Sequence, residues 1–262
     1  MLITTRFFPT RAIGSSRAHK VLERNVIVYR RNWTIILTGF FEPIFYLLGI
    51  GFGLGTLVGD VGDIPSAAFV APGLMATTAM NGALMESTFN LFFKLKYAKT
   101  FDAILSTPLG PSDIAIGEVS WALTRGLLYA IAFFVVMLLL GLVLSPWGIL
   151  MIPGALLIGL AAAAVGMAAT TFMRKWQDFD MVTVVTMPMF LFSGTFYPIS
   201  VYPDWLETIV EVTPLYRGVH MMRSFSTGDV GPMVLVDVAY LAIMGFVGVA
   251  ITARRLRGLL LK

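Results

Sequence analysis

The sequence predicts an all-α polytopic membrane protein with six transmembrane helices. Three observations carry that reading. Six long apolar stretches lie near residues 34–57, 68–90, 120–144, 148–172, 181–197 and 233–253, and about 20 mostly apolar residues cross a hydrocarbon core. Hydrophobic residues make up 57% and charged residues only 13%, whereas soluble domains run at about 45–50% and 25%. Of the 19 Lys and Arg, all but Arg217 and Arg223 fall on one side of the stretches. Lys and Arg favour cytoplasmic loops, so an even number of spans predicts cytoplasmic N and C termini in a cell membrane.

Composition narrows the function. The net charge of +4 comes from basic residues flanking apolar spans, which fits anionic lipid headgroups and gives no reason to expect nucleic acid. Cys is absent, so no disulfide or thiolate metal site is expected. His19 and His220 are too few and too far apart for a metal centre. There is no GxxxxGK[ST] phosphate loop, so the chain is not expected to hydrolyse ATP itself. Neither HExxH nor a Ser/His/Asp grouping occurs. No small-residue cleavage site follows the first apolar stretch, which reads as a retained anchor.

Residues 1–14, with Pro9 and Gly14, read as loose. Ser15 or Ser16 can cap a helix over 15–33. There Val21, Leu22, Val26, Ile27 and Trp33 alternate with basic residues including Arg24, Arg30 and Arg31, which predicts an amphipathic helix in the headgroup plane. The first span carries Glu42-Pro43, which kinks it. Gly49, Gly51, Gly53 and Gly55 then permit close approach or local unwinding. Asp60 and Asp63 mark a short external loop. The second span contains Asn81 and Glu86. Segment 94–118 is polar and too short to span. Lys99 to Leu105 reads as a short helix ended by Ser106-Thr107-Pro108, and Ser112 or Asp113 is expected to cap the helix leading into span three.

Spans three and four form a hairpin around Ser145-Pro146-Trp147. Gly159, Ala161 to Ala164, Gly166, Ala168 and Ala169 predict close packing of span four. Span five is short and interrupted by Pro188. After Gly194 comes an external hairpin over 194–229, with interfacial aromatics at Tyr197, Tyr202, Trp205 and Tyr216. Prolines 198, 203 and 214 bound a helical stripe too short to cross. It reads as a pair of short helices, partly re-entrant. The intramembrane ionisable residues Glu42, Glu86, Arg125 and Asp237 are expected to face protein or water, with Glu42 and Arg125 placed to pair. They read first as structural salt bridges, with a polar contact to substrate as the alternative. Phe101, Ile104 and Leu105, apolar on a polar segment, are expected to fill a partner's groove, with Lys99 and Asp102 at its rim; packing on this chain's own arm helix is the alternative.

The segments EPIFYLLGIGFGLG (42–55), KTFDAILSTPLGPSDIAIGE (99–118) and FLFSGTFYPISVYPDWLETIVEVTPLYRGVHMMR (190–223) resemble ABC type-2 exporter permeases, in the branch that exports lipo-oligosaccharide nodulation factors and anthracycline drugs. The resemblance covers nearly the whole chain. It implies one transmembrane domain over 1–262 and a transporter of two permease subunits, identical or homologous, with two separate ABC ATPase subunits. ATP and Mg would bind the ATPase, leaving no cofactor on this chain. It implies a coupling helix within 97–112 that docks on the ATPase, using Tyr97, Lys99, Thr100, Phe101, Asp102, Ile104, Leu105, Thr107 and Pro108. It also implies that the arm helix acts as a gate or connecting helix. Substrates in such a family are lipids, glycolipids, polysaccharides and hydrophobic drugs. A route between paired spans one, two and five, closed outside by Tyr197, Pro198, Trp205, Pro214 and Tyr216, follows as a hypothesis. A membrane scaffold without a transport path and an ion-coupled transporter are the rival readings.

Overall fold

The computed structural model describes residues 17–31, 41, 44–55 and 59–260. Among them the structure is helical, and the only β pairing is an isolated bridge between Val61 and Ile64. The helices are α1 (Ala18–Arg31), α2 (Ser66–Met85), α3 (Thr100–Leu105), α4 (Pro111–Leu139), α5 (Met151–Thr170), α6 (Phe179–Phe192), α7 (Asp204–Val212), α8 (Pro214–Thr227) and α9 (Pro232–Leu260). Among the described residues, four helical stretches are long and apolar enough to cross a membrane: Ser66–Tyr97, Pro111–Leu139, Pro146–Thr170 and Pro232–Leu256.

Helix α2 runs on to Tyr97 through π-helical turns at Glu86–Asn90 and Phe93–Tyr97. Such turns insert a residue into the helical register and recur at functional sites. The glycine-rich part of the first span is likewise π-helical, from Leu47 to Leu54. Its Gly51 sits so close to Ala67 that a Cβ there would meet the Ala67 Cα at 3.4 Å. Of the close approach or local unwinding expected from those glycines, the close approach is seen at Gly51, and the segment stays helical.

α5 is the hub, packed on α2, α4, α8 and α9. Its small residues make this possible. A Cβ on Gly166 would lie 2.4 Å from Ser87 Oγ, and one on Gly248 of α9 would lie 2.8 Å from Ala164. The core of Leu74, Met75, Phe133, Met137, Met151, Ile158, Leu215 and Met222 lies between these helices. Its central helix is α2, whose most apolar window is 72% buried against 28% for α9.

The helix ends follow local chemistry. α4 begins at Pro111 with Gly110 as its cap, and Asp113 accepts a hydrogen bond from the Gly110 N–H at 2.9 Å. This corrects the expectation that Ser112 or Asp113 is itself the cap. Proline at the first helical position needs no N–H partner. Between α4 and α5, Ser145 Oγ accepts from Trp147 N at 3.3 Å. α6 holds only 14 residues and runs on through Pro188, so the interruption expected at that proline is absent. Its start is pinned by rings: Phe89 stacks on Phe179 at 4.2 Å, and Trp176 lies edge-on to both Phe89 and Phe92. Asp178 accepts from the N–H groups of Arg174 at 2.6 Å and Lys175 at 3.0 Å. These bonds hold its carboxyl below the usual carboxylate range.

Beyond Gly194, whose φ of +69° is a left-handed turn suited to glycine, the chain makes two short helices. α7 is amphipathic, with Trp205, Ile209 and Val212 exposed and Val210 buried. α8 buries Leu215, Gly218, Val219, Met221 and Met222 against α2, α5 and α9. The broken hairpin read from the prolines is present, but only α7 lies on the surface; α8 is wedged into the bundle.

Candidate functional site

Glu86 is the centre of a buried charge cluster at the Tyr97 end of α2. Its side chain is 1% exposed. The Arg125 guanidinium of α4 pairs with its Oε2. Asn90 donates to the same oxygen at 2.6 Å, and the Tyr29 hydroxyl of α1 donates to both oxygens at 3.2 Å. Lys94 Nζ lies 3.8 Å from Glu86 Oε1 and 2.6 Å from Glu118 Oε2. Arg125 also donates to the Tyr129 hydroxyl at 3.0 Å and lies over the rings of Tyr29 and Tyr129. Two cations thus face two carboxylates, and the cluster is close to neutral. Buried charges persist when paired and hydrogen-bonded in this way.

The cluster joins three elements. Glu86, Asn90 and Lys94 follow one another on α2 and its π-helical continuation. Glu118, Arg125 and Tyr129 recur along one face of α4. Tyr29 comes from α1, which packs against α4 at Gly117, where a Cβ would come within 2.5 Å of Val21 Cβ. Tyr29 also packs on Trp121 at 4.8 Å between ring centres. Arg125 pairs with Glu86; Glu42, expected beside Arg125, and Trp33 lie outside the described residues. Lys94, Glu118, Tyr29, Asn90 and Tyr129 were not singled out from the sequence. The spacing of Glu86, Asn90 and Lys94 by four residues was the signal that could have found them.

Beside this cluster lies the short helix expected over Lys99 to Leu105, observed as Thr100–Leu105. Lys99 precedes it in a left-handed conformation, φ 45° and ψ 33°, which turns the chain sharply out of α2. Phe101 is 1% and Ile104 8% exposed. They pack with Leu91, Ile114, Val119 and Met167 in a second core, and Leu105 is partly buried against it. This corrects the expectation that Phe101 and Ile104 fill a partner's groove: they fill this chain's own. Of the expected coupling residues, Tyr97, Lys99, Asp102, Thr107 and Pro108 are exposed, and Thr100 is half-buried. Thr107 Oγ1 caps back onto Ile104 O at 2.6 Å. Arg17 donates to Pro108 O at 2.9 Å, a second tie to the arm. Arg24 donates to Asn25 Oδ1, Arg30 is exposed and Arg31 ends α1.

At the opposite end of the bundle, Asp237 of α9 is fully buried and accepts from Arg217 Nη1 at 3.2 Å, with His220 Nδ1 at 2.6 Å from its other oxygen. Asn81 is exposed on α2 and joins neither cluster. Tyr202 donates to the Tyr197 hydroxyl at 2.8 Å, and Tyr197 to Leu191 O at 3.3 Å. Trp205 is 67% exposed. Pro198 precedes a 3-10 turn, Pro214 opens α8, and Tyr216 N donates to the Thr213 cap at 3.4 Å. An apolar cavity of about 490 Å³ lies between α2, α5, α6 and α9, lined by Met80, Leu84, Ile158, Val165, Val185, Met244 and their neighbours.

Long apolar helices packed around a small-residue hub, with charge clusters at both ends, define a polytopic helical membrane protein. The profile of ABC-2 type transporters matches residues 19–225. Nodulation protein J of Rhizobium leguminosarum bv. trifolii is 33% identical over 251 residues, covering 93% of this chain and 95% of the relative. Nodulation protein J of Sinorhizobium fredii (strain NBRC 101917 / NGR234) is 31% identical, covering 88% and 93%. The inner membrane transport permease YadH of Escherichia coli (strain K12) is 25% identical, covering 79% of each. The chain belongs to the ABC-2 type transporter family.

Proposed function

We propose that the chain is the membrane-spanning permease subunit of an ATP-driven exporter, moving a lipid-like, glycolipid or hydrophobic drug substrate out of the cytoplasm or the inner leaflet. Membership of the ABC-2 type transporter family is the observation that carries this reading. The printed names of its relatives, nodulation protein J and an inner membrane transport permease, support it. In this reading two separate ABC ATPase subunits bind ATP and Mg, and a second permease subunit, identical or homologous, completes the transporter. The six spans include the short first and fifth ones, both termini are cytoplasmic, and α1 lies in the headgroup plane.

The coupling device is segment 97–112. ATPase motion pushes on the exposed rim of Tyr97, Lys99, Asp102 and Thr107. Phe101 and Ile104 carry that push inward, because a close-packed core transmits displacement with little compression. The Glu86 cluster then makes α1, α2 and α4 move as one body. Apolar residues Met181, Val184, Val185 and Met187 of α6 are each more than half exposed, which supports a pairing of two subunits through span five. The substrate's polar head passes between the copies near Asn81, shielded from hydrocarbon, where each unsatisfied polar group costs several kcal/mol. Its apolar part follows surfaces such as the α2–α5–α6–α9 cavity, and the Tyr197–Tyr216 hairpin closes the exit.

Reconstitution with the ATPase that co-purifies with this chain tests the reading. The expected result is ATP-dependent transfer of a labelled glycolipid and ATPase stimulation by the permease. Transfer driven by an ion gradient without ATP would make it a secondary transporter. Normal complex assembly with no transfer of glycolipid or drug would favour the scaffold.

A further inference from the structure

A second cavity, of about 250 Å³, opens at the Ser66 end of the bundle between α7, α8 and the start of α2. On one wall stands Arg223 of α8. It stacks over the Phe69 ring, with its guanidinium carbon 3.7 Å from the ring centre. Its Nη2 donates to Gly194 O at 2.7 Å and to Phe69 O at 3.3 Å, and its Nε to Phe69 O at 3.4 Å. All of these acceptors are neutral carbonyls. Among the described residues no carboxylate pairs with Arg223, and its Nη1 makes no hydrogen bond. Glu207 and Glu211 of α7 line the same cavity. Neither has an ion-pair partner among the described residues.

A cation and two carboxylates thus line one cavity without touching. A bridging guest that carries both signs can pair with the half-buried Arg223 and Glu207 and with the exposed Glu211 at once, and a charge taken out of water is costly unless it is paired. Charge-assisted hydrogen bonds to a phosphate at one end and an ammonium at the other would satisfy both. The setting selects the source. Glu207 and Glu211 lie four residues apart on α7, while Trp205, Ile209 and Val212 form an exposed apolar ridge on the same helix, each more than half exposed. Exposed Trp beside Tyr197 and Tyr202 is the pattern of a membrane–water boundary. The ridge lies on the face of α7 away from Glu207 and Glu211, so a guest held here keeps its charged head in the cavity and its tails in the hydrocarbon beside α7.

We propose that this cavity binds the headgroup of a zwitterionic phospholipid of the phosphoethanolamine type, with the phosphate toward Arg223 and the ammonium between Glu207 and Glu211. The site is separate from the Glu86 cluster and lies within the Tyr197–Tyr216 hairpin. It gives α7 and α8 a lipid-dependent anchor at that end of the bundle.

Native mass spectrometry of the full chain from mixed phosphatidylethanolamine and phosphatidylglycerol micelles tests this. The wild type should retain phosphatidylethanolamine over phosphatidylglycerol by about tenfold, the scale of one charge-assisted hydrogen bond. The double variant Glu207→Gln/Glu211→Gln disturbs no ion pair and should fold normally; it should bind both lipids equally. Glu207→Lys/Glu211→Lys should reverse the preference toward phosphatidylglycerol. No preference in the wild type, or an unchanged preference in both variants, overturns the proposal. Displacement of the bound lipid by equimolar soluble glycerophosphoethanolamine would show a soluble zwitterion to be the guest, and would overturn the lipid assignment.

Discussion

Glu86 makes five polar contacts in a site from which water is excluded, so its partners depend on one another. Removing Arg125 leaves a buried carboxylate with only Lys94 as its counter-charge. Breaking a buried pair from one side costs about 3–5 kcal/mol, whereas replacing both partners by apolar or neutral groups is often near neutral. Arg125→Ala should therefore lower the thermal midpoint of the purified protein sharply. Glu86→Gln combined with Arg125→Met should recover most of the loss; strictly additive effects would show that the two do not act as a pair. On α3 the residues divide by burial. Phe101→Ala should cost about 3–5 kcal/mol as a core truncation and reduce the yield of folded protein. Tyr97→Ala and Asp102→Ala should leave the midpoint within about 0.5 kcal/mol equivalent, as exposed sites do, and abolish ATPase-driven transport. Wild-type transport in both would remove the coupling role from the rim.

Two helices owe their seating to devices at single points. α9 approaches α5 where Gly248 meets Ala164, and a side chain there has backbone in its way. Gly248→Val should destabilise the bundle by about 1–3 kcal/mol through overpacking, and Gly248→Ala by less; equal midpoints for all three would show that the contact is loose. α6 begins at the turn that Asp178 holds with two backbone N–H groups. Its carboxyl is depressed in the folded chain, so the cap is fully present at neutral pH. It fades only as pH falls below the ordinary carboxylate value, about 3.9. Hydrogen exchange of amides 176–182, corrected for intrinsic rates, should be the same at pH 7 and pH 5 and rise below about pH 4. Asp178→Asn should show the higher rate throughout.

The molecule as a whole presents two unlike ends and one unlike side. The ends are the Glu86 cluster with α3 and the Asp237 cluster with α7. The side is α6, whose apolar residues find few partners among the described residues. Because Cys is absent, single cysteines report cleanly. In intact cells, Asp60→Cys and Asp204→Cys should react with an impermeant thiol reagent and Gln177→Cys should not; Gln177 is exposed and spares the Asp178 cap. The reverse pattern would invert the proposed orientation. Val184→Cys on α6, 68% exposed, should form a disulfide between two copies in membranes if span five pairs the subunits. Cross-linking at Phe246→Cys of α9, 72% exposed, with none at Val184→Cys would move that interface to α9.

The sequence by itself determined that this is a helical membrane protein and where its chain breaks. Whether a stretch enters hydrocarbon depends on a sum of side-chain transfer energies along that stretch, and α2, α4, α5 and α9 carry that sum within one continuous run. Breaks are local as well. Proline at 111 and 214 and glycine at 194 act within a turn of themselves, so α3, α7 and the short α6 were legible. Tertiary structure alone decided which buried groups meet. Glu86 finds Arg125 39 residues away and Tyr29 57 residues away, because π-helical turns and Gly117 set how three helices face one another. The same packing turns Phe101 inward, wedges α8 into the core and holds Arg223 apart from Glu207 and Glu211. Each of these depends on the relative rotation of whole helices, which interlocking side chains fix and no single segment encodes.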